Sequence, residues 1–335
     1  MKIVIFPAVE PQRLTRLQAE TPHAIWVNAE SEAEALVEMP GTEAFLGKIT
    51  PALLARADRL RWVQALTASL EHYLFPALVE HPCVLTNARG LFGDVIADQV
   101  MGYILCFARN LHIYARHQVR REWGACGGES ARVSFAAGPG VVNAMDRATR
   151  YLPGSLLGIV GFGGIGAEIA RRALAFAMRV RGVDRYPNSV EIPEGVEHVT
   201  GLEGLPALLN ECDYVVIAAP HTPETERLFD AQLMGLMKPS SILINIGRGA
   251  IVVLDDLVAA LHDGQIAGAA LDVFEVEPLP AEHPLWGMEQ VMITPHTAGY
   301  SPVIAERHLA LLCENVRRFD QGLPVLNQVD KRLWF

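Results

Sequence analysis

The sequence predicts an α/β protein built on doubly wound parallel sheets in two domains. Three observations predict it. Short apolar strands alternate with helical patterns in the first third of the chain and again from residue 156 onward, an alternation that gives parallel sheets covered on both faces. A glycine-rich turn, G-F-G-G-I-G at 161–166, lies between an apolar strand and a helical pattern. The chain has 335 residues, half of them hydrophobic, which is enough for two cores.

The elements follow in order. Strands are expected at 3–6, 24–27, 44–46, 61–65 and 83–86, with helices around 13–19, 33–37 and 51–57. The apolar start stops at Pro7, with Glu10 close behind. It is too short for the apolar region of a signal peptide and reads as the first strand. A long helical stretch runs from about 95 to 122, with no proline and a single glycine, Gly102. A helix of that length suits a spine joining two domains. Residues 124–154 differ: glycine and alanine are frequent, Pro139 and Pro153 interrupt, and periodicity is poor. This segment reads as a long loop or arm, which in a compact protein is usually functional, an interface element or mobile. Strands are then expected at 156–160, 179–184, 214–219, 241–246, 267–273 and 291–294. Six such strands match a complete doubly wound nucleotide domain. Asp255 is placed to cap a helix over 256–263, with Gly264 at its end. A last amphipathic helix near 302–319 precedes an extended tail.

Composition narrows the function. The formal net charge is −10, which argues against nucleic acid and anionic membranes as partners, since both favour basic surfaces. No segment approaches transmembrane length. The five cysteines, Cys83, Cys106, Cys126, Cys212 and Cys313, are widely spaced and form no C-x-x-C pair. Neither a metal site nor a disulfide framework is expected, which fits a reducing, cytoplasmic compartment.

The turn at 161–166 has the context a dinucleotide fingerprint requires. The apolar run 156–160 leads into Gly161, Gly163 and Gly166. Ile169, Ala170, Ala173, Leu174 and Ala177 then fall on one helical face, and a second apolar strand ends in Asp184. Gly161 permits the tight turn, Gly163 lets the backbone approach a pyrophosphate, and Gly166 lets helix and strand pack closely. The helix N-terminus offers unpaired N–H groups to the phosphates. Asp184 would accept hydrogen bonds from a ribose 2′-hydroxyl and repel a 2′-phosphate. NAD is therefore expected over NADP, although Arg185, next in sequence, is a residue type able to accommodate that phosphate.

Ligands of such sheets bind at the C-terminal ends of the strands. The polar residues there are P-H-T-P-E-T at 220–225, Arg248 in G-R-G, Asp272, Glu277 before Pro278, and His296 after Pro295. Each has a plain alternative. An arginine between glycines is ordinarily a solvated loop residue, Glu-Pro after a strand is commonly a turn, and a lone histidine is more often packed or in a loop. Their joint placement on consecutive strand ends favours function. Hydride transfer to a carbonyl needs a cation to hold a carboxylate and polarise the oxygen, and an acid–base group near neutrality. A carboxylate on the other imidazole nitrogen would fix the tautomer and favour the protonated form. Arginine, histidine and glutamate fill these roles.

The sequence resembles the D-isomer-specific 2-hydroxyacid dehydrogenase family nearly end to end. The matching pieces are G-F-G-G-I-G with Asp184, P-H-T-P-E-T at 220–225, I-N-I-G-R-G-A-I at 244–251, G-A-A-L-D-V-F-E-V-E-P at 268–278, H-P-L-W at 283–286 and T-P-H-T-A-G at 294–299. The resemblance implies that Arg248 binds substrate, Glu277 orients the histidine and His296 donates the proton in reduction. It implies that Asp272 holds the nicotinamide end and that Gly164, Ile165 and Ile246 line the cofactor. Pro220, Thr225, Gly247, Arg248, His296 and Gly299, within the matching motifs, join the expected cofactor site. It also implies two Rossmann/flavodoxin-like domains with a cleft that closes on substrate. Residues 1–99 with 297–335 form the flavodoxin-like substrate domain, and 100–296 form the NAD-binding Rossmann domain with its arm at 124–154.

The chain departs from the family pattern in three places. The substrate loop, usually with glycines and an aspartate, reads Ala65-Leu66-Thr67-Ala68-Ser69-Leu70-Glu71. Backbone N–H groups of Leu66, Thr67 and Ala68 are still expected to hold a carboxylate, beside Arg248 and His296. The usual Ala-Glu of the spine helix is Ala97-Asp98, and the arm is longer than is common. Glu277 stands where formate dehydrogenases of this group resemble one another in having glutamine, which argues against formate. Arg89 reads as a surface residue, with contact to a second acidic group of the substrate as the alternative.

The expected activity is NAD-dependent hydride transfer between nicotinamide and a small D-2-hydroxy acid or 2-oxo acid, such as glyoxylate or hydroxypyruvate. The alternative is an NAD(H)-sensing, corepressor-like binding protein of the same fold. A methyltransferase is disfavoured, because the Arg–Glu–His set has no role there. A homodimer is expected, its contact made by the spine helix and the arm, where Val133, Phe135, Val141, Val142 and Met145 would be costly in water.

Overall fold

Parallel strands are buried on both faces, so they read in sequence as short apolar runs, and this chain has two sets of them. The computed structural model describes residues 1–129 and 142–334. It divides into two units, Met1–Phe92 with Ser301–Phe335, and Gly93–Tyr300.

The first unit alternates β1 (Lys2–Phe6), α1 (Pro11–Glu20), β2 (Ile25–Asn28), α2 (Glu32–Glu38), β3 (Ala44–Gly47), α3 (Pro51–Leu54), β4 (Trp62–Gln64), α4 (Pro76–Glu80) and β5 (Val84–Thr86). All strand pairs are parallel, in the order β2-β1-β3-β4-β5, the flavodoxin-like order. Strand alternation sends Val4, Phe45, Val63 and Leu85 into one core layer. Ile3, Ile5, Leu46 and Trp62 enter the other, where they pack on Leu309, Leu312 and Val316 of the chain's last helix, Ile304–Asp320. Asn315 of that helix is fully buried. Its amide donates to Gln64 Oε1 at 2.8 Å, and its carbonyl accepts from Leu326 N at 2.7 Å. This polar tie brings the C-terminal segment back onto the first sheet. Helix α4 was not foreseen; five residues opened by Pro76 are too few to show a period.

The second unit begins with α5 (Gly93–Ala108), α6 (Leu111–Arg120) and α7 (Ala144–Arg147). The spine expected as one helix over 95–122 is two. Asn110 adopts a left-handed φ of 55°, and its amide donates to Ala148 O at 2.7 Å. Asparagine tolerates that conformation without glycine or proline to announce it. Of the arm at 124–154, residues 130–141 lie outside the described residues. Val133, Phe135 and Val141 are among them. Asn143 caps α7 in a reciprocal capping box with Asp146.

The sheet follows: β6 (Leu156–Val160), α8 (Gly164–Ala175), β7 (Arg179–Val183), β8 (His198–Thr200), α9 (Leu205–Glu211), β9 (Tyr214–Ile217), α10 (Ala231–Met234), β10 (Ile242–Asn245), α11 (Leu254–His262), β11 (Gly268–Leu271) and β12 (Val291–Ile293). The order is β12-β11-β10-β9-β6-β7-β8, all parallel. This is the doubly wound nucleotide-domain order with one strand added. The sheet has seven strands where six were expected. The missed strand, β8, is an edge of three residues, H-V-T, partly exposed and without an apolar run. The expected cap at Asp255 is also corrected. The cap position is Val253, and Asp255 and Asp256 lie inside the first turn of α11, where their charge favours the helix dipole instead. Gly264 follows the helix with a left-handed φ of 67°, as a C-terminal stop requires.

Alternation works here too. Val215 and Ile217 of β9 enter one core layer, Tyr214 and Val216 the other. Among the described residues no helix is long and apolar enough to cross a membrane.

Candidate active site

The glycine-rich turn joins β6 to α8, and its glycines separate into two kinds. Gly161 has φ 92°, and a Cβ there would lie 2.5 Å from Ala219 N; at Gly166 a Cβ would lie 2.6 Å from Gly161 O. Packing within the protein demands these two. Gly163 and Gly164 are exposed, and a Cβ on either would meet nothing within 4 Å. Protein packing does not require glycine there, and the bare backbone leaves room for close approach of a ligand. No side chain caps α8 at Gly163, which leaves the first-turn N–H groups of Gly164, Ile165 and Gly166 for an anion. The turn therefore fits a dinucleotide's pyrophosphate.

Asp184 closes β7. Its carboxylate accepts from Phe162 N and Tyr186 N, both at 2.8 Å, which fixes the acid at the strand end. Arg185 pairs with Glu224 and lies over the Tyr186 ring. In the segment after β9, the Thr225 hydroxyl donates to Pro220 O at 2.7 Å, and Thr222 N donates to Thr225 Oγ1 at 2.8 Å. Pro220 and Thr225 thus belong to one tight turn.

Beyond β10 the chain turns sharply through Ile246, Gly247 and Arg248. Asn245, itself buried, bridges the turn: its carbonyl accepts from Gly247 N at 3.1 Å and its amide donates to Arg248 O at 3.0 Å. Ile246 and Gly247 are buried, and Arg248 is half-buried with Nη1 donating to Gly247 O at 2.7 Å. A Cβ on Gly249 would sit 1.8 Å from the Phe274 carbonyl carbon. The arginine therefore rises from a turn wedged against the segment after β11.

The strongest local order surrounds His296, beyond β12. Its φ is 53°, in the left-handed region, which histidine adopts more often than most residues but at some cost. Buried Asp272 holds the turn in place. Its Oδ1 accepts from Thr297 N and its Oδ2 from Ala298 N, each at 2.9 Å. Its backbone carbonyl accepts from His296 N at 2.8 Å, and the Thr294 hydroxyl also donates to its carboxylate. Thr294 has spent its proton there, so the Tyr103 hydroxyl donates to Thr294 Oγ1. Burial pushes the Tyr103 hydroxyl above its ordinary range, keeping it a donor. Gly299 continues the same turn.

His296 Nδ1 meets Glu277 Oε2 at 2.8 Å, and Glu277 Oε1 accepts from Phe274 N at 3.0 Å. The carboxylate is thus positioned from its own loop and takes the Nδ1 side of the ring. Nε2 remains for chemistry, and both side chains are partly exposed. Arg248, Glu277 and His296 leave three successive strands, β10, β11 and β12, at their C-terminal ends.

In the first unit, the segment after β4 holds its carbonyls in place. Thr67 O accepts from Ala88 N at 2.9 Å and Ala68 O from Asn87 Nδ2 at 2.7 Å. Leu66 N donates to the Tyr73 hydroxyl at 3.2 Å. Arg89 is exposed and donates from Nη2 to Gln328 O at 3.3 Å, in keeping with a surface role.

Sequence reasoning missed Tyr103 and Thr294. A tyrosine in an apolar helix reads as core, and only the fold brings α5 beneath the histidine turn. For Asp272, the resemblance points to the nicotinamide end; in the structure both carboxylate oxygens anchor the His296 turn.

A parallel dinucleotide sheet with an arginine and a glutamate-paired histidine on adjacent strand ends defines a nicotinamide-dependent oxidoreductase. The profile described as "D-isomer specific 2-hydroxyacid dehydrogenase, NAD binding domain" matches residues 101–298. A glyoxylate reductase of Aeropyrum pernix is 33% identical over 93% of this chain and 87% of its own. A solved D-isomer specific 2-hydroxyacid dehydrogenase family protein from Aeromonas salmonicida superposes with TM-score 0.77 at 30% identity, covering 98% of this chain and 99% of its own. An NADPH-dependent glyoxylate/hydroxypyruvate reductase from Sinorhizobium meliloti, solved with NADP and sulfate, superposes with TM-score 0.78 at 26% identity, covering 100% and 99%. The chain belongs to the D-isomer specific 2-hydroxyacid dehydrogenase family.

Proposed function

We propose that the protein reduces small 2-oxo acids of the glyoxylate and hydroxypyruvate class to D-2-hydroxy acids with NADH. The observation that supports this best is the 2.8 Å pair of His296 and Glu277 beside the strand that presents Arg248. Gly161, Gly163, Gly164, Ile165 and Gly166 would hold the pyrophosphate, and Asp184 the adenosine ribose. Pro220, Thr225, Ile246, Gly247 and Gly299 would line the rest of the cofactor. A nicotinamide bound there would supply the hydride that the substrate's carbonyl carbon accepts. Arg248 holds the substrate carboxylate and steadies the charge that develops on the carbonyl oxygen. His296 gives that oxygen a proton from Nε2 while Glu277 holds Nδ1. The N–H groups of Thr67 and Ala68 would take a substrate carboxylate as well, whereas the Leu66 N–H, expected to join them, already donates to the Tyr73 hydroxyl at 3.2 Å.

A panel of 2-oxo acids, assayed with NADH and with NADPH, tests this reading. Turnover is expected with glyoxylate or hydroxypyruvate. Tight cofactor binding without turnover on any acid would point instead to a nucleotide-sensing binding protein.

NAD is proposed over NADP because the Asp184 carboxylate, fixed at the end of β7, would accept from a ribose 2′-hydroxyl and repel a 2′-phosphate. Arg185 already has a partner in Glu224. A higher kcat/KM with NADH is expected. Equal or better kcat/KM with NADPH would remove this preference.

We also propose a homodimer, formed by the second unit. Val119, Trp123 and Val142 are exposed large hydrophobics there, and covering them in a contact between copies would remove apolar area from water. Light scattering at micromolar concentration should give twice the chain mass; a monomer would refute it. The five unbridged cysteines support a cytoplasmic setting.

A further inference from the structure

The segment Leu66–Ala68 lacks the glycines usual at this place in the family, yet its peptide planes are held one by one. The residue holding the first plane comes from the C-terminal helix. His308, on the second turn of α12 (Ile304–Asp320), places Nε2 3.2 Å from Leu66 O, and Arg13 of α1 places Nη1 3.1 Å from His308 Nδ1. These two partners fix the ring. A guanidinium can only donate, so Nδ1 is the acceptor; a carbonyl can only accept, so Nε2 carries the proton. The imidazole is therefore neutral, with its hydrogen aimed at Leu66 O. Burial, and then the neighbouring Arg13 charge, lower the His308 pKa and keep it so. Arg13 is itself held: Nη2 donates to Ala305 O at 3.0 Å, and Glu10 lies 3.5 Å from Nε.

A trans peptide sets each N–H opposite the preceding carbonyl. Fixing Leu66 O toward α12 turns the Thr67 N–H away from it. Fixing Thr67 O and Ala68 O on Ala88 N and Asn87 turns the N–H groups of Ala68 and Ser69 away from those partners. Among the described residues, Thr67 N and Ala68 N have no acceptor. A side chain that clamps one carbonyl thus decides where the next donor points.

We infer that Arg13 and His308 are positioning residues for substrate: by fixing the Leu66 carbonyl they present the Thr67 N–H to the carboxylate of a 2-oxo acid. The inference rests on the reading that this segment receives that carboxylate. It explains how a loop without glycines keeps an anion-binding backbone: side-chain braces set the planes that backbone freedom sets elsewhere. It also gives Arg13 and His308, both remote from the nucleotide sheet in sequence, a specificity role.

The test uses the full-length protein, with His308→Leu to remove both hydrogen bonds at similar bulk and His308→Gln to restore an acceptor and a donor. His308→Leu should raise the KM for glyoxylate about tenfold, the effect of leaving one partly buried carbonyl without its hydrogen bond, with a smaller change in kcat. The KM for NADH should stay at the parent value, and His308→Gln should recover most of the loss. Hydrogen exchange reads the brace independently: the Ala88 amide, which donates to Thr67 O, should exchange faster in His308→Leu. An unchanged KM for glyoxylate overturns the inference. So does a rise in both KM values together with a lower Tm that His308→Gln leaves uncorrected, since that is general destabilisation. If the parent protein reduces no 2-oxo acid, the proposed function fails on its own; the Ala88 amide then decides the brace, and unaltered exchange overturns it.

Discussion

Replacing His296 by Asn should lower kcat for 2-oxo acid reduction by roughly 10²–10⁴ while cofactor affinity stays near that of the parent. Asparagine is the informative replacement because position 296 has a left-handed φ of 53°, and asparagine accepts that conformation readily. The Asp272 bonds to the turn run through backbone N–H groups at 296, 297 and 298, so they survive the change. What is lost is the proposed proton donor, the ring edge opposite Glu277. Cofactor titration by fluorescence, set beside steady-state kinetics, separates the two effects. Near-normal turnover on the best substrate would remove the assigned proton donor.

Arg248→Lys should be nearly as severe, lowering kcat/KM by roughly 10²–10³, comparable to deleting one donor to a developing oxyanion. A guanidinium offers two parallel donors in a rigid plane, and an ammonium is a point charge on a flexible stem. The turn that carries the residue leaves little room for adjustment. Asn245 ties it on both sides, and Gly249 is pressed against the Phe274 carbonyl. A lysine there cannot shift its backbone to recover the lost contact. Its penalty should appear in both kcat and KM, because in the proposed mechanism the same group binds the carboxylate and steadies the carbonyl oxygen. A change confined to KM would limit Arg248 to binding.

Much of this was legible in the sequence, for physical reasons that differ from element to element. Buried parallel strands such as 156–160 and 214–217 show as uninterrupted apolar runs. The fingerprint glycines show because backbone geometry excludes every other residue at Gly161, which has φ 92°. The hydrogen bond between Glu277 and His296 followed from the logic of a histidine acid that needs its tautomer held. What escaped lacks a local signature. Asn110 breaks a helix by adopting a left-handed conformation that no proline or glycine marks. Strand β8 is too short and too exposed to show a pattern. Tyr103 and Thr294 are 191 residues apart, as Arg13 and His308 are by 295. Such pairs exist only once the chain has folded, and their side chains read singly as core or surface.

The most direct test follows the hydride itself. The protein is incubated with nicotinamide cofactor deuterated at the transferring carbon and with hydroxypyruvate, and the product is analysed for label and chirality. Deuterium is expected on the carbon bearing the new hydroxyl, in the D-enantiomer, with the same labelled product formed roughly 10²–10⁴ times more slowly when His296 is replaced by Asn under the same conditions. Product of the L configuration, or unlabelled product formed by the parent protein, would contradict it.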